Sequence, residues 1–342
     1  MMQQDCKNIL SIVPLRDECM EELASMVSAR VRYQRKSVPV LSSRYESPGE
    51  VMPALFDLIR HGSGLMALEN GKPVGFLAGW KIAEFMGTQK GVFIPEAGFG
   101  TDSTDSGRAI GIFDALYAEL CADWCPAGWL NHAISTYEEE RELRKHLFHQ
   151  GFGGVCMDAV RPTVAMDLPV PADLRIHEVE SGDMQAFMAW LDLSNLHTAY
   201  MRSAPIYLGS ARECHETAEL QEWLAQDLHF AWIAKRVPDG MPVAYMQLER
   251  ETDGTSMLVR DPCNMAVSGA FTRPEMRGYG IAALLLDAAV KKAAALGMSS
   301  ISVDFETRNA PAMAFWTKHF AAFTFSVLRC VEGRLFHQGG VA

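Results

Sequence analysis

The stretch Arg273–Leu286, RPEMRGYGIAALLL, sets two glycines and an arginine directly ahead of a run that continues as a helix. A helix start carries about four unpaired N–H groups and roughly half a positive charge from its aligned peptide dipoles. Backbone of this kind holds anions, paired phosphates above all. Gly278 and Gly280 lack a Cβ, so a phosphate can approach the main chain and left-handed dihedrals are accessible. Arg277 adds a formal charge, and Ala282 is too small to obstruct the first helical turn. The stretch is not a dinucleotide fingerprint, because Ala283 stands where the third glycine of G-x-G-x-x-G belongs, and it lacks the closing Gly-Lys-Ser/Thr of a P-loop.

A fainter version occurs earlier in the chain. Gly71-Lys-Pro-Val-Gly-Phe76 and Gly240-Met-Pro-Val-Ala-Tyr245 are the same turn entering the same kind of strand, 169 residues apart (240 against 71). That offset carries Arg277 to Arg108, Gly280 to Gly111, Ile281 to Ile112 and Val303 to Ile134. One constant offset in a chain of 342 residues predicts two copies of one domain. Helices are expected over Met20–Arg30, Ile110–Cys121, Glu138–His149, Asp183–Leu193, Ala218–Gln226, Gly280–Leu296 and Ala310–His319, with strands between them. Gly297 stops the longest of these helices. The segment 161–171 contains three prolines and connects the halves, giving domains 1–161 and 174–342 with a linker over 162–173. Each half is a mixed α+β unit rather than a regular strand–helix alternation.

The copies differ where a phosphate would sit. The first has Ala109 for Gly278, Phe113 for Ala282 and Glu140 for Asn309. A phenylalanine crowds the first turn, Ala109 resists left-handed dihedrals, and a carboxylate repels an anion. The first copy is therefore expected to have lost the anion site, and to serve in packing against the second domain and in lining part of the acceptor pocket.

Composition narrows the class. A formal charge of −11 opposes general nucleic-acid binding, and 49% hydrophobic with 21% charged residues fits a soluble globular chain. No apolar run approaches the roughly 20 residues of a membrane span. The N-terminal stretch has charges within its short apolar part and no signal-peptide layout, so a cytoplasmic location is expected. The eight cysteines contain no C-x-x-C pair and read as thiols in a reducing compartment. His146 and His149 share a helix face without a third ligand, and no metal is expected. The nineteen methionines read as core filler.

The loop Arg277-Gly-Tyr-Gly-Ile-Ala282, set between a strand and an Ala/Leu-rich helix, resembles the acyl-coenzyme A pyrophosphate loop of the GCN5-related N-acetyltransferase (GNAT) superfamily. Asn309-Ala-Pro-Ala312-Met-Ala-Phe315-Trp316 is similar to that family's next helix. The resemblance is specific over about residues 230–331, and over the first half it rests on the repeat and on Gly151-Phe152 after a helix. It implies two GNAT-like domains, each a mixed, centrally splayed β-sheet flanked by helices, the first degenerate. It implies acetyl-CoA as co-substrate, touching Ala270, Phe271, Thr272, Arg277, Gly278, Tyr279, Gly280, Ile281, Ala282, Asn309, Ala312, Phe315 and Trp316. The amides near Ala270 and Thr272 would polarise the thioester carbonyl. Glu249 leads Asp304 and Glu306 as candidate base. The family's usual acidic tyrosine is replaced near Trp316, leaving Tyr279, Tyr245 or water as candidate acid. The implied activity is transfer of an acetyl group to a primary amine of a small molecule. A non-catalytic acyl-CoA sensor and a protein N-acetyltransferase are the alternatives. His197, Tyr200 and Trp223 lie where the family builds its acceptor pocket. The acceptor and the oligomeric state are left open.

Overall fold

A computed structural model describes residues 10–87, 89–208, 215–250 and 256–336. The elements run β1 (Leu10–Pro14), α1 (Met20–Ser37), α2 (Pro48–His61), β2 (Gly62–Glu69), β3 (Lys72–Phe85), β4 (Gln89–Ile94), β5 (Phe99–Thr101), α3 (Ser106–Trp124), β6 (Asn131–Tyr137), α4 (Arg141–His149) and β7 (Gly153–Pro162). They continue with β8 (Leu174–Glu178), α5 (Met184–Met201), α6 (Thr217–Leu224), β9 (Phe230–Arg236), β10 (Pro242–Arg250), β11 (Asn264–Thr272), α7 (Ile281–Ala295), β12 (Ser300–Glu306), α8 (Ala310–His319) and β13 (Ala321–Cys330). The chain divides into two compact units, one of Met1–Cys156 with Phe323–Ala342 and one of Met157–Ala322. Sequence reading keeps residues 323–342 with the second domain. In the structure they go with the first unit, because β13 pairs antiparallel with β6 from Thr324↔Tyr137 to Cys330↔Asn131.

In the first unit the strand order is β1-β2-β3-β4-β6-β13, with β5 paired to β3. The core below it joins Leu77, Ile94, Leu116, Trp124 and Ile134, all at most 1% exposed. In the second unit the order is β7-β12-β11-β10-β9-β8, and Phe187, Trp190 and Ile233 anchor the core. Both units are mixed sheets flanked by helices. Each contains a parallel pairing of four rungs: Gly91↔Asn131 to Ile94↔Ile134 in the first, Asn264↔Ser300 to Val267↔Val303 in the second. The last rungs, Ile134 and Val303, are separated by the 169 residues of the sequence repeat.

Three helices are longer than expected, α1 running past Arg30 to Ser37, and α2 has no counterpart among the expected helices. The helix predicted to end at Leu193 runs to Met201, since the first breaker after it is Pro205. The helix predicted to begin at Ile110 begins at Ser106, because Asp105 caps it: its carboxylate accepts the Arg108 amide at 2.7 Å. The segment read as a linker is fastened to the second unit, as buried Asp287 on α7 accepts the amides of Met166, Asp167 and Leu168 at 2.7, 3.2 and 3.2 Å. No helix among the described residues is long and apolar enough to cross a membrane.

Candidate active site

The opening stretch forms a single 3₁₀ turn at Pro274–Met276 and then a loop into α7. Gly278 and Gly280 both lie in the left-handed region, at φ +86° and +77°. A Cβ at either would meet nothing within 4 Å, so backbone conformation, not crowding, demands glycine there. Gly280 is the N-cap, and its carbonyl accepts from Ala283 and Leu284. The amides of Ile281 and Ala282 in the first turn have no intrahelical acceptor. Arg277 is held by its Nε, which donates to the Thr272 carbonyl at 3.1 Å, and its guanidinium lies 4.4 Å above the Tyr200 ring. No carboxylate among the described residues pairs with it, so its charge is available to an anion at the loop.

The loop opens onto a gap in the sheet. Beyond Val267↔Val303 the parallel pairing of β11 and β12 stops, although both strands continue. At the same level β11 carries an extra residue against β10, since Gln247 pairs with Gly269 but Glu249 pairs with Ala266. The Arg273 amide donates to the Val243 carbonyl. Antiparallel alternation then turns the amides of Phe271 and Gly269 toward β10, and those of Ala270 and Thr272 toward the gap.

Two cavities meet here. One, about 410 Å³, is lined by Ala270–Thr272, Arg277, Gly278, Gly280–Ala283, Ala312, Phe315 and Trp316. The other, about 500 Å³, is lined by Trp223, Gln247, Glu249, Ser268, Asp304 and Glu306. His197, Tyr245, Ala270, Asn309, Ala312 and Trp316 line both. A side chain at Gly269 would fall 2.1 Å from the Gln247 Oε1 and 3.1 Å from the Tyr245 hydroxyl, so its absence leaves their row clear.

The second cavity is acidic. Glu219, Glu249, Asp304 and Glu306 line it against one guanidinium, Arg202. Glu249 accepts from the Trp223 indole at 2.5 Å and stands 3.8 Å from the His229 Nδ1. Asp304 lies on the cavity wall with part of its surface open, and the protein packed around it raises its carboxyl above the ordinary range. Burial likewise raises Glu306, with neighbouring Asp304 adding to it. His197 and Tyr245 share a 2.8 Å hydrogen bond, Nδ1 to hydroxyl. Burial pushes His197 down to about 4, and pushes the Tyr245 phenol well above its usual value.

The structure gathers all the residues expected at the cofactor except Tyr279, which is 70% exposed and lines neither cavity. Its neighbours Gly278 and Gly280 adopt positive φ, and the side chain between them turns to solvent. Asn309 is buried and caps α8; it also accepts from the Tyr200 hydroxyl at 3.0 Å. Tyr200 thus supports both Arg277 and Asn309, a role the sequence reading did not assign. Its signal was the i,i+3 spacing from His197, which places both on one helix face once α5 is known to reach Met201.

The first unit departs from the expected echo. Arg108 and Gly111 lie inside α3, which continues through the segment that is a loop in the second unit. The carboxylate of Asp105 already occupies the helix start. Arg108 pairs with Glu69 at 3.1 Å. Glu140, the counterpart of Asn309, holds both nitrogens of the Arg30 fork at 2.6 and 2.9 Å. A remaining Arg30 nitrogen donates to the carbonyls of Glu96 and Phe99, at 2.6 Å each, just past the last rung. Among the described residues no group of three or more His, Cys, Asp or Glu could hold a metal ion. His146 instead meets Asp114 at 2.8 Å.

Residues 190–321 match the model of the acetyltransferase (GNAT) family. No curated protein matches the chain. Among solved structures, a GCN5-related N-acetyltransferase from Sphaerobacter thermophilus has a TM-score of 0.54 at 12% identity, covering 94% of this chain and 95% of its own. A GCN5-related glucosamine N-acetyltransferase region in a fungal multi-domain GH3 beta-N-acetylglucosaminidase has a TM-score of 0.50 at 13% identity, over 94% of this chain and 38% of the other. At these identities the likeness is one of fold. The second unit carries a domain of the GNAT superfamily, and the fold likeness extends over most of the chain.

Proposed function

We propose that the chain is an acetyl-CoA-dependent N-acetyltransferase, with the chemistry in its second unit and a small cationic molecule bearing a primary amine as acceptor. The observation that carries this reading is the meeting of the two cavities at the sheet gap: one ends at the glycine loop that opens α7, the other is lined by carboxylates. The residues fit the cofactor by the donor chemistry of the loop. The first-turn amides with Gly278 and Gly280 would hold the pyrophosphate, and Arg277 would neutralise part of its charge. Bound acetyl-CoA supplies an activated thioester.

The remaining work falls to this chain's residues. The Ala270 amide, turned into the gap, would donate to the thioester carbonyl and stabilise charge developing on its oxygen. Asp304, at the first position past the last paired rung, would take a proton from the acceptor ammonium. Its carboxyl, raised above the ordinary range, is a stronger base for that shift. Glu249, tied to Trp223, would hold a second positive group of the acceptor. Because its phenol is pushed up, Tyr245 serves as a hydrogen-bond donor to the leaving sulfur rather than as an acid. The proton balance closes without an acidic side chain: the nitrogen loses one proton to Asp304 and a second to the departing sulfur. Thiol release measured with diamines, polyamines, aminoglycosides and amino acids tests the proposal. Acceptor-dependent release is expected with the polycations first. Tight acetyl-CoA binding without release from any of them would favour the sensor reading.

A further inference from the structure

We propose that the acceptor site selects by length, taking a short aliphatic α,ω-diamine whose two nitrogens are met by Gln247 and Glu249. This selection presupposes the transfer reading above. On β10, Gln247 pairs with Ala231 and Leu248 with Phe230, so this strand keeps its regular alternation, and the extra residue opposite belongs to β11. Tyr245, Gln247 and Glu249 therefore project to one face, and all three line the carboxylate cavity. Glutamine and glutamate side chains have the same length. Their ends are thus spaced as their Cα atoms are, about 6.6 Å for two residues of strand.

Gln247 stands beside the place where the attacking nitrogen has to be. A side chain on Gly269 would fall 2.1 Å from the Gln247 Oε1, so the carboxamide fills the space this glycine leaves. That space adjoins the Ala270 amide assigned to the thioester carbonyl. The Gln247 side chain is on the cavity wall, partly exposed, and has no hydrogen-bond partner among the described residues. Its Oε1 accepts one N–H of the amine and leaves the nitrogen lone pair for the carbonyl carbon. A carboxamide suits this place better than a carboxylate, because it holds the neutral nucleophile without retaining the proton that Asp304 removes. Glu249, tied to the Trp223 indole, offers the other end a charge for an ammonium. The wall adds Glu219, Asp304 and Glu306 against Arg202, a balance that favours dications over zwitterions. Nitrogens about 6.6 Å apart belong to an extended chain of about four or five carbons; shorter diamines fail to reach both groups and longer ones must fold.

The test titrates butylamine and the α,ω-diamines of propane, butane, pentane and octane into the full chain by calorimetry, with and without coenzyme A, so that no acetyl group is transferred. The butane or pentane diamine should bind tightest. Butylamine should bind about tenfold more weakly, the loss of one charge-assisted hydrogen bond. Glu249→Gln, which keeps the shape, should bring the best diamine down to butylamine and leave butylamine unchanged. Gln247→Leu should weaken every amine by about fivefold, the contribution of one neutral hydrogen bond. A flat length series, binding of no amine, a diamine preference that survives Glu249→Gln, or indifference to Gln247→Leu would each overturn the proposal. Length selection without acetyl transfer would keep the diamine site and end the transfer reading; transfer without length selection would do the reverse.

Discussion

The two units open their sheets at the same place and do opposite things with the opening. In both, a four-rung parallel ladder ends at residues related by the sequence repeat, Ile134 and Val303. In the second unit the space beyond is lined by Asp304 and Glu306 and reached from a loop with two positive-φ glycines. In the first, the 169-residue offset puts Ser135 and Tyr137 at those positions, and Arg30 bonds the backbone just past the ladder. A splayed sheet is therefore not in itself a cofactor site. What decides is the charge at the helix start and the side chain in the gap.

The comparison breaks most severely if the carboxylate at the gap is idle. Asp304→Asn should lower kcat by about 10²–10⁴-fold, the range for loss of a positioned base. The acidic limb of the kcat/KM profile should vanish with it. An unchanged profile would move the base to Glu249 or to solvent. Next in size is the filled gap of the first unit. Glu140→Gln leaves the Arg30 guanidinium with half its fork unpaired, and removing one partner of a buried pair costs about 3–5 kcal/mol. Chemical denaturation should show that loss, and Arg30→Met with Glu140→Leu should recover most of it by replacing charge with packing. If Glu140→Gln is silent, the pair does not close the cleft.

A smaller effect transfers a first-unit feature to the second. Ala282→Phe copies Phe113 into the first turn of α7, on the wall of the loop cavity. Acetyl-CoA affinity should fall by about 100-fold, as a bulky ring displaces a close backbone approach worth a few charge-assisted hydrogen bonds. The unmodified chain should titrate with one acetyl-CoA; two per chain would end the contrast between the units.

Much of this contrast was legible from residue types alone. Gly278, Gly280 and Arg277 announce the loop because an unusual dihedral and a local charge are properties of single residues. The replacements Phe113 and Glu140 announce its loss for the same reason. Other features depend on tertiary facts. Arg108 and Gly111 read as an echo of the loop, but the Asp105 cap extends α3 through them, and a cap competes with a loop only once the backbone bonds are counted. Tyr279 sits within the loop yet turns outward between two neighbours of positive φ. The placement of β13 with the first unit follows from its pairing with β6, nearly two hundred residues away in sequence, and no local pattern encodes that partner.

The smallest predicted effect concerns His197, which has no counterpart in charge or burial within the first unit's cleft, where Arg30 keeps a full charge through its pair with Glu140. His197 lies among Tyr245 and Phe271, stacked on the latter at 5.6 Å, and burial pushes it from 6.5 down to about 4, with His215 and Arg277 adding repulsion. Its folded-state value lies below its unfolded one, so the unfolded chain binds the extra proton first. The stability this neutral ring contributes is complete above pH 6.5 and is lost as pH falls from 6.5 toward 4. At pH 5.5, one unit below the unfolded value, the loss should be about 1.4 kcal/mol. Urea midpoints measured from pH 7.5 to 4.5 would show it as a slope that His197→Gln flattens. Wild-type stability that stays flat across this window would place a water or a carboxylate against the ring and remove His197 from the gap's hydrogen-bonding network.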